Sequence, residues 1–245
     1  MPEKAFPDAH SRDPLVSPLL NKVPEVTLHL GTVTTSYVMG GLFLVALVIQ
    51  LRLKKYLPPV YRIVVVLVSV VGTLISDNLV DGLGISLKTT SVLFASALAV
   101  VFVAWWGSER TLSVHSIHTT KRELFYWAAI LFTFALGTSA GDLAAEASGL
   151  GYALSALMFA ALIALTALAY YGLKINGVLA FWMVYILTRP LGASMGDLLS
   201  QPTKDGGLGL GTSVTSVVFL LTILGLVTFL TLSKADAISP DRTVA

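Results

Sequence analysis

Three aspartates, Asp77, Asp142 and Asp197, each close a helix-length apolar run: RIVVVLVSVVGTLISD, FYWAAILFTFALGTSAGD and AFWMVYILTRPLGASMGD. An acid at membrane depth is costly to keep charged, so its charge has to be balanced by a proton, a basic side chain or a cation. Asp81 and Glu146 lie four residues beyond the first two aspartates, which stacks paired carboxylates on one helical face if the helix continues that far. Gln201 holds that place in the third run. Such a pair can exchange a proton for a cation. Carboxylate oxygens suit hard ions such as Mg²⁺, Ca²⁺ or Mn²⁺, and Asp142 and Asp197 are the candidate metal ligands. For Asp81 and Glu146 the plain alternative is solvation at the membrane surface. Arg189 stands eight residues before Asp197, on nearly the same helical face. It is either an internal counter-ion that leaves when a cation binds, or a side chain that snorkels to the headgroups.

These groups are positioned by a repeat. Aligned on Asp142 and Asp197, the second and third runs match at Trp127/Trp182, Thr133/Thr188, Leu136/Leu191, Gly137/Gly192, Ser139/Ser194 and Gly141/Gly196. The first run keeps Gly72 at the same offset and has Ser76 where the others have Gly141 and Gly196. Gly137-x-x-x-Gly141 and Gly192-x-x-x-Gly196 are small-xxx-small patterns that let helix backbones approach, and together with Gly72 they are the expected helix-packing positions. The same glycines could also let the helix unwind beside the acid, where irregular backbone lines a cavity. Pro190 leaves the carbonyl of Ile186 without its helical donor, giving a kink or a free oxygen.

The chain is 55% hydrophobic and only 12% charged over 245 residues, with mean hydropathy +0.81, whereas soluble domains carry about 25% charged residues. Apolar runs at about 33–51, 60–76, 89–106, 124–141, 152–173, 177–195 and 212–232 are long enough to span a bilayer. The expected fold is therefore an all-α polytopic membrane protein of about seven transmembrane helices, built from repeated helix hairpins at about 62–106, 125–173 and 180–232. Residues 1–31 form a polar, proline-bearing tail without a signal-peptide core, residues 32–233 the membrane domain, and 234–245 a second tail. Ten Lys and Arg side chains (Arg52, Lys54, Lys55, Arg62, Arg110, Lys121, Arg122, Lys174, Lys234 and Arg242) fall on one side of the spans. Five, among them Lys88 and Lys204, fall on the other. The positive-inside rule then places the amino terminus outside, the carboxyl terminus in the cytoplasm, and all three aspartates at the outer face of an inner membrane.

A net charge of +2 argues against nucleic-acid partners, and the absence of cysteine removes disulfides and thiolate chemistry. His115 and His118 are one helical turn apart without a third ligand, so a solvated loop is the simpler reading. Trp105, Trp106 and Trp127 read as an interfacial belt, and the hydroxyls Thr89-Thr90-Ser91 as caps at a helix start. No lysine lies in the seventh span, there is no G-x-S-x-G or H-E-x-x-H, and Asp77-Asn-Leu-Val-Asp81-Gly82 is one residue too long for the D-x-x-D-G of membrane phosphoalcohol transferases.

Lys22-Val-Pro-Glu-Val-Thr27, Ser108-Glu-Arg-Thr-Leu-Ser113, Phe134-Ala-Leu-Gly137 and Leu187-Thr-Arg-Pro-Leu-Gly192-Ala-Ser-Met-Gly196-Asp197 together resemble an uncharacterised bacterial family of multi-pass, membrane-anchored proteins with repeated glycine-aspartate helices. That resemblance implies a further acid-tipped helix after KVPEVT, for which this sequence has no counterpart before Gly31. From the residues themselves the leading expectation is a transporter-like protein, not an enzyme, that needs no cofactor. It would handle a small, divalent cation within the lipid bilayer, by proton antiport, and is compatible with a homo-oligomer. The alternative is a membrane scaffold or sensor in which the acids and glycines only pack helices, and a membrane enzyme comes third.

Overall fold

The computed structural model describes residues 32–53, 57–114 and 119–233, which leaves both tails, Lys54, Lys55, His115 and His118 outside it. Among the described residues there is no strand, and seven α-helices follow one another: α1 (Thr32–Arg52), α2 (Pro58–Asp77), α3 (Leu87–Glu109), α4 (Thr120–Asp142), α5 (Gly151–Leu173), α6 (Gly177–Ser200) and α7 (Gly211–Ser233). The first six are long and apolar enough to cross a membrane, and α7 contains the shorter apolar stretch Gly211–Thr222. The all-helical polytopic fold is thus as the sequence dictates.

Local chemistry sets the helix ends. Pro58 and Pro59 occupy the first turn of α2, where a missing N–H costs nothing. Ser86 caps α3 by accepting from the Thr89 N–H at 3.2 Å, so the hydroxyls Thr89-Thr90-Ser91 stand inside the helix and not at its cap. Thr119 caps α4 through Arg122 N, and Asn176 caps α6 through Val178 N and Leu179 N.

Consecutive helices of a repeat unit hardly touch. Instead α1 packs on α2, α3 on α4 and α5 on α6, while the acid-tipped helices pack in series, α2 on α4 and α4 on α6. The core lies between these pairs and is aromatic at the end away from the acids: Trp105 stacks on Phe125 with centroids 6.3 Å apart and meets Trp182 edge-on at 5.9 Å. Trp182 donates its indole N–H to the Leu112 carbonyl at 2.9 Å. Trp105 and Trp127 are therefore buried core residues, not members of a belt, and only Trp106 stays exposed. Their matching ring faces outcompete headgroup contact because burying an aromatic between helices also gains edge-to-face geometry.

The acid-tipped helices do not unwind at their glycines. After Asp77 and after Asp142 the chain passes into one π-helical turn, Asn78–Gly82 and Leu143–Ala147, closed by Leu83 N to Asn78 O at 3.0 Å and Ser148 N to Leu143 O at 2.9 Å. The third copy lacks this turn, and α6 stops at an extended Gln201. Beyond it Gly207 lies against the Gln201 carbonyl, with no room for a Cβ. A topology probe therefore belongs at Leu208 and not at Gly207. With the single cysteines Ser108→Cys and Leu208→Cys, both at exposed positions, labelling is expected from opposite faces of the membrane, Ser108→Cys from the cytoplasmic one. Labelling of both from the same face would overturn the helix count.

Candidate functional site

Close approach of the three acid-tipped helices creates the site. A Cβ at Gly72 would stand 2.6 Å from Phe134 Cβ and 3.1 Å from the Ala135 nitrogen, and one at Gly137 would run into Cβ and Cγ of Arg189. The two interfaces are the same interface used twice. In each, the glycine five residues before an aspartate receives the residues eight and seven before the next aspartate: Phe134 and Ala135, then Arg189 and Pro190. Gly141 meets Ala193 and Pro190 at ordinary contact distance, Gly196 lies near Phe219 of α7, and Gly192 has no atom within 4 Å of its Cβ position.

Arg189 thereby crosses from α6 over the face of α4 to α2. Its stem lies on Gly137, its guanidinium carbon is 4.8 Å from the centre of the Phe134 ring, and its Nη2 donates to Thr73 Oγ1 at 2.7 Å. Thr73 Oγ1 is also 3.4 Å from Thr138 Oγ1. The guanidinium Nε is buried with no hydrogen-bond partner. Asp77 and Asp142 act on the guanidinium through space. Snorkelling to the headgroups is thus not the conformation found: the head group points into the bundle, because the recess at Gly137 takes the stem and the Phe134 ring supplies a cation–π surface.

The aspartates are half-buried at one end of the bundle, while Asp81 and Glu146, carried out on the π turns, are exposed. Asp77, Asp81, Asp142 and Glu146 are all engaged in polar or electrostatic contacts. Asp197 takes a side-chain hydrogen bond from Gln201 and lies in the field of Glu146. Tyr152, at the start of α5, stands in the field of Glu146, Asp197, Asp205 and Asp142 together. Among the described residues no three His, Cys, Asp or Glu side chains converge to hold a metal ion.

Thr73, Thr138, Phe134 and Tyr152 do not stand out in the sequence, although one signal is there. Thr73 and Thr138 share an offset of four residues before their aspartates, so the hydroxyl level is part of the repeat. Phe134 and Arg189 share the next offset, eight before the acid, where one copy carries a ring and the other the cation that packs on it.

Repeated two-helix units, an interface reused from unit to unit and acids gathered at one end define a polytopic membrane protein built by internal duplication. Its family follows from the match of the Repeat of Unknown Function (DUF347) to residues 60–111, 125–176 and 180–236. The chain belongs to that family, and each matched stretch takes in one acid-tipped helix with its successor, α2–α3, α4–α5 and α6–α7. No curated protein and no solved structure matches it.

Proposed function

We propose that this chain is a transporter-like protein of the inner membrane that moves a small divalent cation in exchange for protons, and that it is a carrier, not an enzyme. The observation that carries the reading is the placement of Arg189: a guanidinium held inside the bundle by Thr73 and Phe134, in the field of Asp77 and Asp142. A fixed cation near these aspartates competes with protons and a mobile cation for their charge. Competition of this kind is the physical basis of antiport.

The cation would meet Asp142 and Asp197 as two carboxylates without a third protein acid. Such a site suits an ion that keeps several of its waters, as Mg²⁺ does, and that has to leave again. Asp77 and Glu146 tune the local charge, and Asp81 at the exposed rim attracts cations to the mouth. With the amino terminus outside, this end faces away from the cytoplasm.

The test is flux in reconstituted vesicles at matched protein insertion. Asp142→Asn and Asp197→Asn are each expected to abolish divalent-cation-driven proton movement, since an amide can neither release a proton nor supply a charged ligand. If both variants keep the wild-type rate, or the wild type moves no ion across Mg²⁺, Mn²⁺ and Ca²⁺, the carrier reading falls.

A further inference from the structure

At the end of the bundle away from the aspartates, two acids stand in different company. Glu109 of α3 pairs with Arg122 and Lys121. Glu123, in the first turn of α4, accepts from two uncharged donors: the Gln50 amide of α1 at 3.1 Å and the Trp127 indole at 3.4 Å. Gln50 is only 7% exposed, and its Oε1 is buried with no hydrogen-bond partner. Arg52 and Arg62, which close α1 and open α2, are exposed.

Neither helix formation nor the repeat explains this arrangement. An acid in a first turn gains from the helix dipole while fully solvated, so the dipole calls for no buried amide beside it. Nineteen residues before the other two aspartates stand Pro58 and Val178, so Glu123 occurs once. What repeats near this level is a tyrosine. Tyr61 and Tyr126 both stand sixteen residues before an aspartate, their hydroxyls are 2.6 Å apart, and the Tyr61 ring centre lies 5.5 Å from that of Trp127. Tyr185, one turn before Arg189, stands in the field of both Tyr61 and Arg189. Polar groups thus mark the interior from Glu123 through the tyrosine level to Arg189 and Asp142, among the fully buried Val64, Val68 and Ile130. Glu123 and Asp142 are separated by about 28 Å of one helix, close to the ~30 Å thickness of a hydrocarbon core. The same span therefore carries an acid near each membrane face.

A carboxyl group that changes protonation in a dry setting needs a partner for both of its forms. The ionised form needs a donor, and the protonated form an acceptor for its new O–H; an amide is both. Gln50 gives its Nε2–H to Glu123 and keeps Oε1 spare, and rotated by half a turn it offers Oε1 to the acid's proton. The pair is a poor cation site, because one carboxylate and one amide oxygen fall short of the six or more oxygens around Ca²⁺ or the octahedron of Mg²⁺.

We infer that Glu123, backed by Gln50 and Trp127, is a proton-exchange station at the opposite end of the bundle from Asp142 and Asp197. Its role rests on the carrier reading. A proton that Glu123 takes up at its own face replaces the cation at the aspartates, handed on by hydroxyls that each accept one proton and release another. Proton and cation then enter at opposite ends, as exchange across a membrane requires.

The experiment uses the full chain in lipid vesicles, with Mn²⁺ as the probe ion. Glu123→Gln keeps an oxygen for Gln50 and Trp127 to bond but cannot take a proton. It is expected to lower Mn²⁺-driven proton movement about a hundredfold, the lower end of what a positioned proton-transfer group contributes. Mn²⁺ binding, read by electron paramagnetic resonance, should stay within about twofold of wild type. Gln50→Leu, which removes donor and acceptor together, should slow proton movement in the same way. Infrared difference spectra on acidification are expected to show a carboxyl band in the wild type that Glu123→Gln lacks. Wild-type proton movement in either variant overturns the inference, and so do identical infrared spectra of wild type and Glu123→Gln. Equal losses of Mn²⁺ binding and proton movement overturn it too, since Glu123 would then belong to the cation site or to the fold. A wild type that neither binds nor moves Mn²⁺ removes the carrier reading, and the infrared comparison still decides whether Glu123 exchanges protons.

Discussion

Gly137→Leu is expected to cost about 3 kcal/mol or more of stability, at the top of the range for overpacked positions. The new Cβ would coincide with Cβ and Cγ of Arg189, and Pro190 Cδ follows at 3.3 Å. None of these atoms is the far end of a flexible side chain, so α4 and α6 must separate along their length. Gly192→Leu is the matched control. It sits at the same offset from its aspartate with nothing within 4 Å, and should change stability by no more than about 0.5 kcal/mol as a surface substitution, or gain up to about 1 kcal/mol from replacing a mid-helix glycine. Reversible unfolding in mixed detergent, followed by tryptophan fluorescence, reads both. Equal losses at the two positions would show that glycine matters for helix conformation and not for the recess.

Arg189→Met separates function from folding more sharply. Methionine keeps the stem that fills the recess at Gly137 and removes the charge. A structural role for the guanidinium predicts lost stability of about 1.5–3 kcal/mol, the worth of a hydrogen bond to a charged group. The geometry predicts otherwise. The guanidinium is held by one hydroxyl and one ring, and its buried Nε is unpartnered, so a large part of its desolvation is uncompensated and an apolar replacement is neutral or stabilising. Thr73 retains a local bond to the Ser69 carbonyl at 3.1 Å, and is not orphaned by the change. The expected outcome is unchanged or raised thermal stability together with complete loss of cation-driven proton movement. A variant that unfolds more easily and still carries flux would remove Arg189 from the proposed function.

The sequence carried the repeat, the spans, the acid at each helix end and the gathering of those acids at one end. All four depend on one-dimensional spacing: apolar runs of bilayer length, and a glycine and an acid at fixed offsets. The destination of Arg189 was half legible. Its offset put it on the helical face of Asp197, but its hydrogen-bond partner is a threonine 116 residues away on α2, which spacing within one helix cannot reveal. The π turns were not legible at all. Asp77-x-x-x-Asp81 and Asp142-x-x-x-Glu146 look the same in an α-helix as in a turn with one residue more. The choice falls to the residues just downstream, where Gly84 and Gly149 take positive φ to start the link to the next helix. Trp105 and Trp127 were misplaced for a related reason. Composition identifies an aromatic near a helix end without saying which way it turns, and the ring-on-ring contacts of four helices decide that.

The skipping contact pattern also has a meaning for how the molecule is made. A hairpin that packed on itself could mature as soon as its second helix had entered the membrane. Here α2 and α3 hardly touch, nor do α4 and α5, so the self-packed hairpins are α1–α2, α3–α4 and α5–α6, each made of the end of one duplicated unit and the start of the next. Burial of Trp105 completes only once α6 brings Trp182 against it. The unit that packs is thus one helix out of step with the unit that was duplicated. A nascent chain stopped after α3 would hold its tryptophan against lipid, and quality-control proteases that grip loosely packed membrane segments would meet it first.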